Sequence, residues 1–97
     1  MEMHVFARFH ARAGCEDAVA AALRDVVPPT REEPGCRAID AYRATGDLRL
    51  FHIHSCWTDE AAFERHAELP HTVRFVACVQ PLIDHPLDVT RNFVLPC

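Results

Sequence analysis

No two of the five cysteines, at positions 15, 36, 56, 78 and 97, are spaced as a Cys-x-x-Cys pair, and their number is odd. Both facts argue against a disulfide framework and favour reduced, mostly buried thiols. Cys97, last in the chain, is read as exposed and without function. No apolar run approaches the roughly 20 residues that a membrane-spanning helix needs. Positive charge is not in surplus: the formal net charge is −4, which opposes a nucleic-acid role because phosphate neutralisation takes a clustered basic face. The opening MEMHVFARFH lacks the basic-then-apolar layout of a secretory signal, so the expected location is cytoplasmic. Internal repeats, linkers and low-complexity segments are also missing. What remains is 97 residues, 49% apolar and 25% charged, the composition of one domain over 1–97. A chain this short buries only somewhat over roughly 60% of its unfolded surface, so pairing with a second copy is an expected source of stability.

The hydrophobic pattern orders that domain. Met3 to Arg12 alternates, with Val5, Ala7, Phe9 and Ala11 on one face and His4, Phe6, Arg8 and His10 on the other, which predicts a strand. Ala13-Gly14 turns the chain, and from Glu16 the spacing of Val19, Ala22, Leu23, Val26 and Val27 predicts a helix with one buried stripe. Pro28 and Pro29 are expected to bend or break it, with a further turn over Thr30 to Glu33 before Pro34-Gly35 stops it. Cys36 to Arg43 and Leu48 to Trp57 then read as two strands joined through Ala44-Thr45-Gly46-Asp47.

The segment HSCWTDEAAFERHAELPHTVRF, residues 54 to 75, organises the rest. Thr58 is the expected N-cap of a second helix, with Asp59 and Glu60 suiting its positive end. Ala62, Phe63, His66 and Ala67 follow at helical spacing. Pro70 stops that helix and opens a new one, whose first turn carries His71 and whose inward positions are Val73, Val76 and Ala77. Pro81 to Pro86 reads as a loop and Leu87 to Leu95 as a fourth strand. The order β-α-β-β-α-β is the split arrangement of the ferredoxin-like α+β fold. It predicts a four-stranded antiparallel sheet with both crossover helices on one face. The open face, carrying Phe6 and Leu50 beside several histidines, is expected to meet a second subunit.

Three motifs on this scaffold resemble the antibiotic biosynthesis monooxygenase family, whose members are small ferredoxin-like proteins paired as dimeric α+β barrels. They are Val27-Pro28-Pro29-Thr30-Arg31-Glu32-Glu33-Pro34-Gly35-Cys36, Trp57-Thr58-Asp59-Glu60-Ala61-Ala62-Phe63, and Pro70-His71. The similarity runs from about Glu2 to Leu95. It implies a homodimer and a cofactor-independent monooxygenase that oxidises a quinol or polycyclic phenol with dioxygen, using neither metal nor flavin. Two positions depart from the family pattern: Ser55 stands where a glutamate is frequent, and Leu69 where a small helix cap is. Haem-degrading members carry an asparagine, a tryptophan and a histidine at places held here by Phe6 or a neighbour, His66 and Val76. Haem degradation is therefore disfavoured.

His71 is the residue best suited to a catalytic role. Histidine's unperturbed pKa of about 6.5 lets it accept a phenolic proton near neutral pH, and the resulting phenolate is electron-rich enough to reduce dioxygen. The plainer reading is a histidine that bonds backbone at the kink. His66, about one turn earlier, is a candidate to share the pocket, or is simply packed. Trp57, Phe63 and Phe75 offer flat apolar walls for an aromatic substrate, and large aromatics at helical spacing are also core. Tyr42, with Asp40, is a candidate polar contact from the second strand. His4, His10, His52 and His54 share the open face and could ligate zinc, copper or nickel. Their strand spacing matches no recognised ligand motif, so a hydrogen-bonded interface is preferred and no metal is assigned. Two further functions fit the same scaffold: a non-catalytic small-molecule-binding or stress-related dimer, and an acid–base isomerase with His71 as base.

Overall fold

A computed structural model describes residues 1–97. Strand β1 (Met3–His10) lies at the centre of a four-stranded sheet beside β3 (Leu50–Trp57), with β2 (Cys36–Arg43) and β4 (Asp88–Asn92) on the edges, in the order β2-β3-β1-β4. Every pairing is antiparallel. Helix α1 (Glu16–Arg31) connects β1 to β2, while α2 (Glu60–Glu68) and α3 (Pro70–Val79) connect β3 to β4. This is the expected ferredoxin-like α+β fold, its second helix divided at Pro70 as the sequence predicts.

The alternation in β1 decides which face is covered. Met3, Val5, Ala7, Phe9 and Ala11 are buried while Phe6 and Arg8 are exposed. The main core gathers Phe9, Leu23, Val26, Ile39, Phe51, Ile53 and Val79 among others. A smaller cluster forms at the far end from Met3, Val5, Trp57 and Ala62. Trp57 is completely buried. Taking a tryptophan's roughly 150–250 Å² out of water contributes about 4–6 kcal/mol before entropic costs.

Several local expectations change. Pro28 and Pro29 lie inside an unbroken α1. Each proline removes the donor for a carbonyl four residues back, but those carbonyls belong to Arg24 and Asp25, which face solvent, so water satisfies them. Thr30 also ties the last turn, its hydroxyl donating to Val26 O at 2.7 Å. The cap of α2 is Asp59 rather than Thr58: Asp59 Oδ1 accepts from Ala62 N–H at 2.9 Å. Thr58 instead donates its own N–H to Gly35 O at 2.9 Å. Gly35 has φ +89°, and a Cβ there would lie 2.6 Å from Ala62 Cβ, so both backbone sign and space demand glycine. β3 begins at Leu50 and not at Leu48, because Asp47 accepts from the N–H groups of Arg49 and Leu50 and holds the turn open longer. β4 covers only Asp88–Asn92, its last residue paired with His4 near the start of β1. The expected loop contains a 3-10 turn, Gln80–Leu82, and Ile83 bridges to Ala11.

His10 fastens the opposite corner. Its Nδ1 lies 2.6 Å from Asp84 Oδ2 and its Nε2 3.0 Å from Asp47 Oδ2, while its backbone N–H donates to His85 Nε2 at 2.8 Å. The hydrogen bond to Asp84, opposed by some desolvation and reinforced by Asp47, raises the pKa of His10 above its ordinary 6.5. Both carboxyls move the other way, Asp84 chiefly through His10 and Asp47 chiefly through the N–H of Arg49. A raised histidine stabilises the fold below its unfolded value and loses that contribution as pH rises through the folded value. Lowered carboxylates stabilise above about 3.8 and lose it on acidification. The melting-temperature gap between the wild type and His10→Gln should thus be widest between about pH 4 and 6.5 and narrow on the alkaline side. A gap independent of pH from 5 to 9 would show that the corner contributes no such linkage.

Candidate active site

Between the covered face of the sheet and the α2–α3 pair lies a cavity of about 180 Å³, walled by Phe9, Ile53, Phe63, Phe75, Val89 and other apolar side chains. Four of its lining residues carry polar side-chain atoms: Thr30, Ser55, His66 and Thr72. Thr30 is spent on Val26 O, and Ser55 Oγ accepts from Trp57 Nε1 at 2.9 Å. His66 Nδ1 lies 2.7 Å from Glu33 Oε2 and 3.2 Å from Thr72 Oγ1. Its Nε2 is the ring nitrogen not committed to that carboxylate.

Glu33 is the residue that sequence reasoning did not single out. It lies two residues beyond α1, its N–H donating to Thr30 O at 3.1 Å, and its side chain is 6% exposed. Its Oε2 also lies 2.6 Å from His71 Nε2. An ionised carboxylate only accepts, so both imidazoles direct an N–H at the same oxygen. The visible signal was Glu33-Pro34-Gly35: a carboxylate fixed immediately before an obligatory glycine turn that packs beneath α2. Ser55 removes the family's frequent glutamate from β3, and Glu33 supplies a buried carboxylate from a different element.

The candidates distribute unevenly around this centre. Phe63, His66 and Phe75 line the cavity. Trp57 stands behind it, packed edge-on against Phe63 at 5.6 Å and tilted against His66 at 4.9 Å; it braces the wall and has no exposed surface. His71 faces a second, more polar groove of about 370 Å³ between α1 and α3, lined also by Asp25, Pro29, Arg74 and Phe75. It does not line the cavity itself and meets it through Glu33 and through the His66 ring, whose centroid lies 6.0 Å from its own. Tyr42 projects on the opposite face of the sheet, 51% exposed, in a shallow groove with Phe6, His52 and His54. It shares no wall with the cavity. Asp40 is likewise outside, paired with Arg31 at 2.9 Å.

The four open-face histidines do not converge. His4 Nδ1 lies 3.0 Å from His54 Nε2 with the rings stacked, His10 belongs to the Asp47–Asp84 corner, and His52 is exposed. Donor atoms of Glu2, His4 and Cys56 do gather on that face. Burial there, followed by the charge of Glu2, pushes the Cys56 thiol above its ordinary value.

The chain thus joins the class of ferredoxin-like α+β proteins, with an apolar cavity that His66, bonded to the buried Glu33, helps to line. Comparison with known proteins names the family. The family model described as antibiotic biosynthesis monooxygenase matches residues 3–77, and the chain belongs to that family. Rv0793 of Mycobacterium tuberculosis, whose name proposes a monooxygenase, is 35% identical over 88 residues, 89% of this chain and 84% of that protein. The solved structure of Rv0793 superimposes with a TM-score of 0.93 at 29% identity, covering 99% of this chain and 97% of that one. The structure of PA3566 from Pseudomonas aeruginosa gives 0.90 at 29% identity, over 98% and 95% of the two chains. No helix is long and apolar enough to cross a membrane.

The Ser55–Trp57 bond carries a testable cost. Ser55→Ala leaves a buried indole N–H without an acceptor and should destabilise the protein by about 1–3 kcal/mol. Urea unfolding followed by the fluorescence of Trp57, the only tryptophan, measures it. An unchanged midpoint would show that the indole finds another partner.

Proposed function

We propose that this protein is a cofactor-independent monooxygenase acting on a quinol or polycyclic phenol, with His66 as the base and Glu33 as the group that orients it. The observation that carries the reading is the single uncommitted imidazole nitrogen at an otherwise apolar cavity, braced from behind by a buried carboxylate. With Nδ1–H held by Glu33, the lone pair remains on Nε2, and the adjacent negative charge stabilises the imidazolium that forms on proton transfer. Phe63 and Phe75 supply faces for the aromatic ring. Family membership supports oxygenation in particular over other proton-transfer chemistry.

The reaction balances without an external reductant. His66 removes the phenolic proton; the phenolate gives one electron to dioxygen; the superoxide and substrate radical combine into a peroxide anion, which takes the proton back from His66 to become a hydroperoxide. Loss of water leaves a new carbonyl, so one oxygen atom enters the product and the other departs with two hydrogens from the substrate. Water exclusion by the apolar wall protects the radical pair. His71, on the same oxygen of Glu33, fixes the carboxylate and contributes a second donor to it.

Oxygen uptake by metal-stripped protein against hydroquinones and hydroxylated naphthalenes and anthracenes tests this. His66→Ala should reduce the rate above the autoxidation blank by about 10²–10⁴-fold, and His71→Ala should reduce it less. Turnover without oxygen uptake would redirect the reading to an isomerase, and saturable binding without turnover to a binding protein. Equal loss from His71→Ala and none from His66→Ala would restore His71 as base.

The same proposal includes a homodimer across the open face, supported by the half-exposed Phe6 and Tyr42 there. Light scattering at micromolar concentration should give twice the 11.0 kDa chain mass; a monomeric mass contradicts the assembly.

A further inference from the structure

We propose that Glu33, His66 and His71 form a binding site for a divalent transition metal, and that the metal and the bridging protons of this triad exclude one another. The three donor atoms, Glu33 Oε2, His66 Nδ1 and His71 Nε2, lie within 4.8 Å of one another. Two separations are 2.6 and 2.7 Å. Metal–ligand bonds of about 2.0–2.2 Å set neighbouring ligand atoms roughly 3–3.5 Å apart, so those two separations need to open by less than about 1 Å, and the third, at most 4.8 Å, needs to close by roughly 1.5 Å or less. Two imidazoles and a carboxylate suit zinc, cobalt, nickel or ferrous iron. The ligands come from three different segments and are 6%, 12% and 18% exposed, so the site is already assembled. The groove between α1 and α3 reaches His71 from outside and brings Asp25 to the approach.

Metal binding has a chemical consequence that follows from the imidazole ring. In the metal-free triad, His66 carries its proton on Nδ1 and its lone pair on Nε2. A metal on Nδ1 displaces that proton, and the neutral ring then carries its hydrogen on Nε2. The cavity would face a donor in place of a base. Metal is therefore an inhibitor, a half of the proposal that rests on His66 being the base; the binding half does not.

The test titrates Co(II) and Zn(II) into the metal-stripped full chain, by calorimetry and visible absorption. One metal per chain is expected, with cobalt ligand-field bands and no thiolate charge-transfer band. Glu33→Gln and His71→Ala should each weaken binding at least roughly tenfold, whereas Cys56→Ser should leave it unchanged. If Glu33→Gln fails to fold, His71→Ala carries the comparison, since it keeps the buried Glu33–His66 pair. No binding, or a charge-transfer band abolished by Cys56→Ser, overturns the assignment, the latter in favour of Glu2, His4 and Cys56. For the exclusion half, nitrogen-15 NMR of the imidazoles should show the His66 proton moving from Nδ1 to Nε2 on adding Zn(II), a readout that holds even if no substrate turns over. Where turnover is found, saturating Zn(II) should suppress it and a chelator restore it. An unmoved proton, or stimulation by metal, overturns the exclusion.

Discussion

One carboxylate oxygen holds this molecule's functional end together. Glu33 Oε2 takes hydrogen bonds from two imidazoles on two different helices, and the loop, α2 and α3 must all be in place for it to do so. Burying that charge is costly unless it is fully paired, so its partners and their positions are mutually enforced. The kink makes the geometry possible. His66 and His71 are five residues apart, which in a continuous helix would separate them by about 140° around the axis. Leu69, in extended conformation with ψ 147°, and Pro70 break the helix there, so both side chains turn to the same oxygen.

The sheet divides the chemistry into two sides. On its covered face, Trp57, Phe63 and His66 pack against one another edge-on and tilted behind and along the cavity, and Ser55 is consumed by the indole. On its open face lie Phe6, Tyr42, His52 and His54, together with the His4–Cys56 cluster. Side-chain alternation along β1 and β3 is what keeps the two sets apart. A one-residue slip of either strand would exchange them. Histidines of successive elements therefore serve different ends: His52 and His54 on β3 project outward, while His66, on α2, turns inward.

Periodicity and punctuation made most of the fold legible. Alternation in β1 and the stripe of α1 assign which residues face the core, and Pro70 marks the helix break. Errors fell where backbone groups had unforeseen partners. Asp59 took the cap from Thr58 because its Oδ1 is the oxygen that reaches Ala62 N–H, and Pro28-Pro29 left α1 intact where Arg24 and Asp25, whose carbonyls they free, are exposed residues. The aromatic wall was partly legible too: Phe63 and Phe75 line the cavity, whereas Trp57 lies behind it and Tyr42 is across the sheet.

Residue type and spacing alone determined the element order, the buried faces of β1 and α1, the family motifs and the presence of reactive histidines near a kink, because these depend on interactions a few residues long; the inward face of α3 they misassigned, since Val73 and Ala77 are exposed and Thr72 and Val79 are buried instead. Tertiary structure alone decided that Glu33 is the partner of those histidines, and that His66 lines the cavity while His71 faces the outer groove. A contact over 33 or 38 residues of chain leaves no periodic trace; it exists only when the sheet has closed and the glycine turn has brought the carboxylate under both helices.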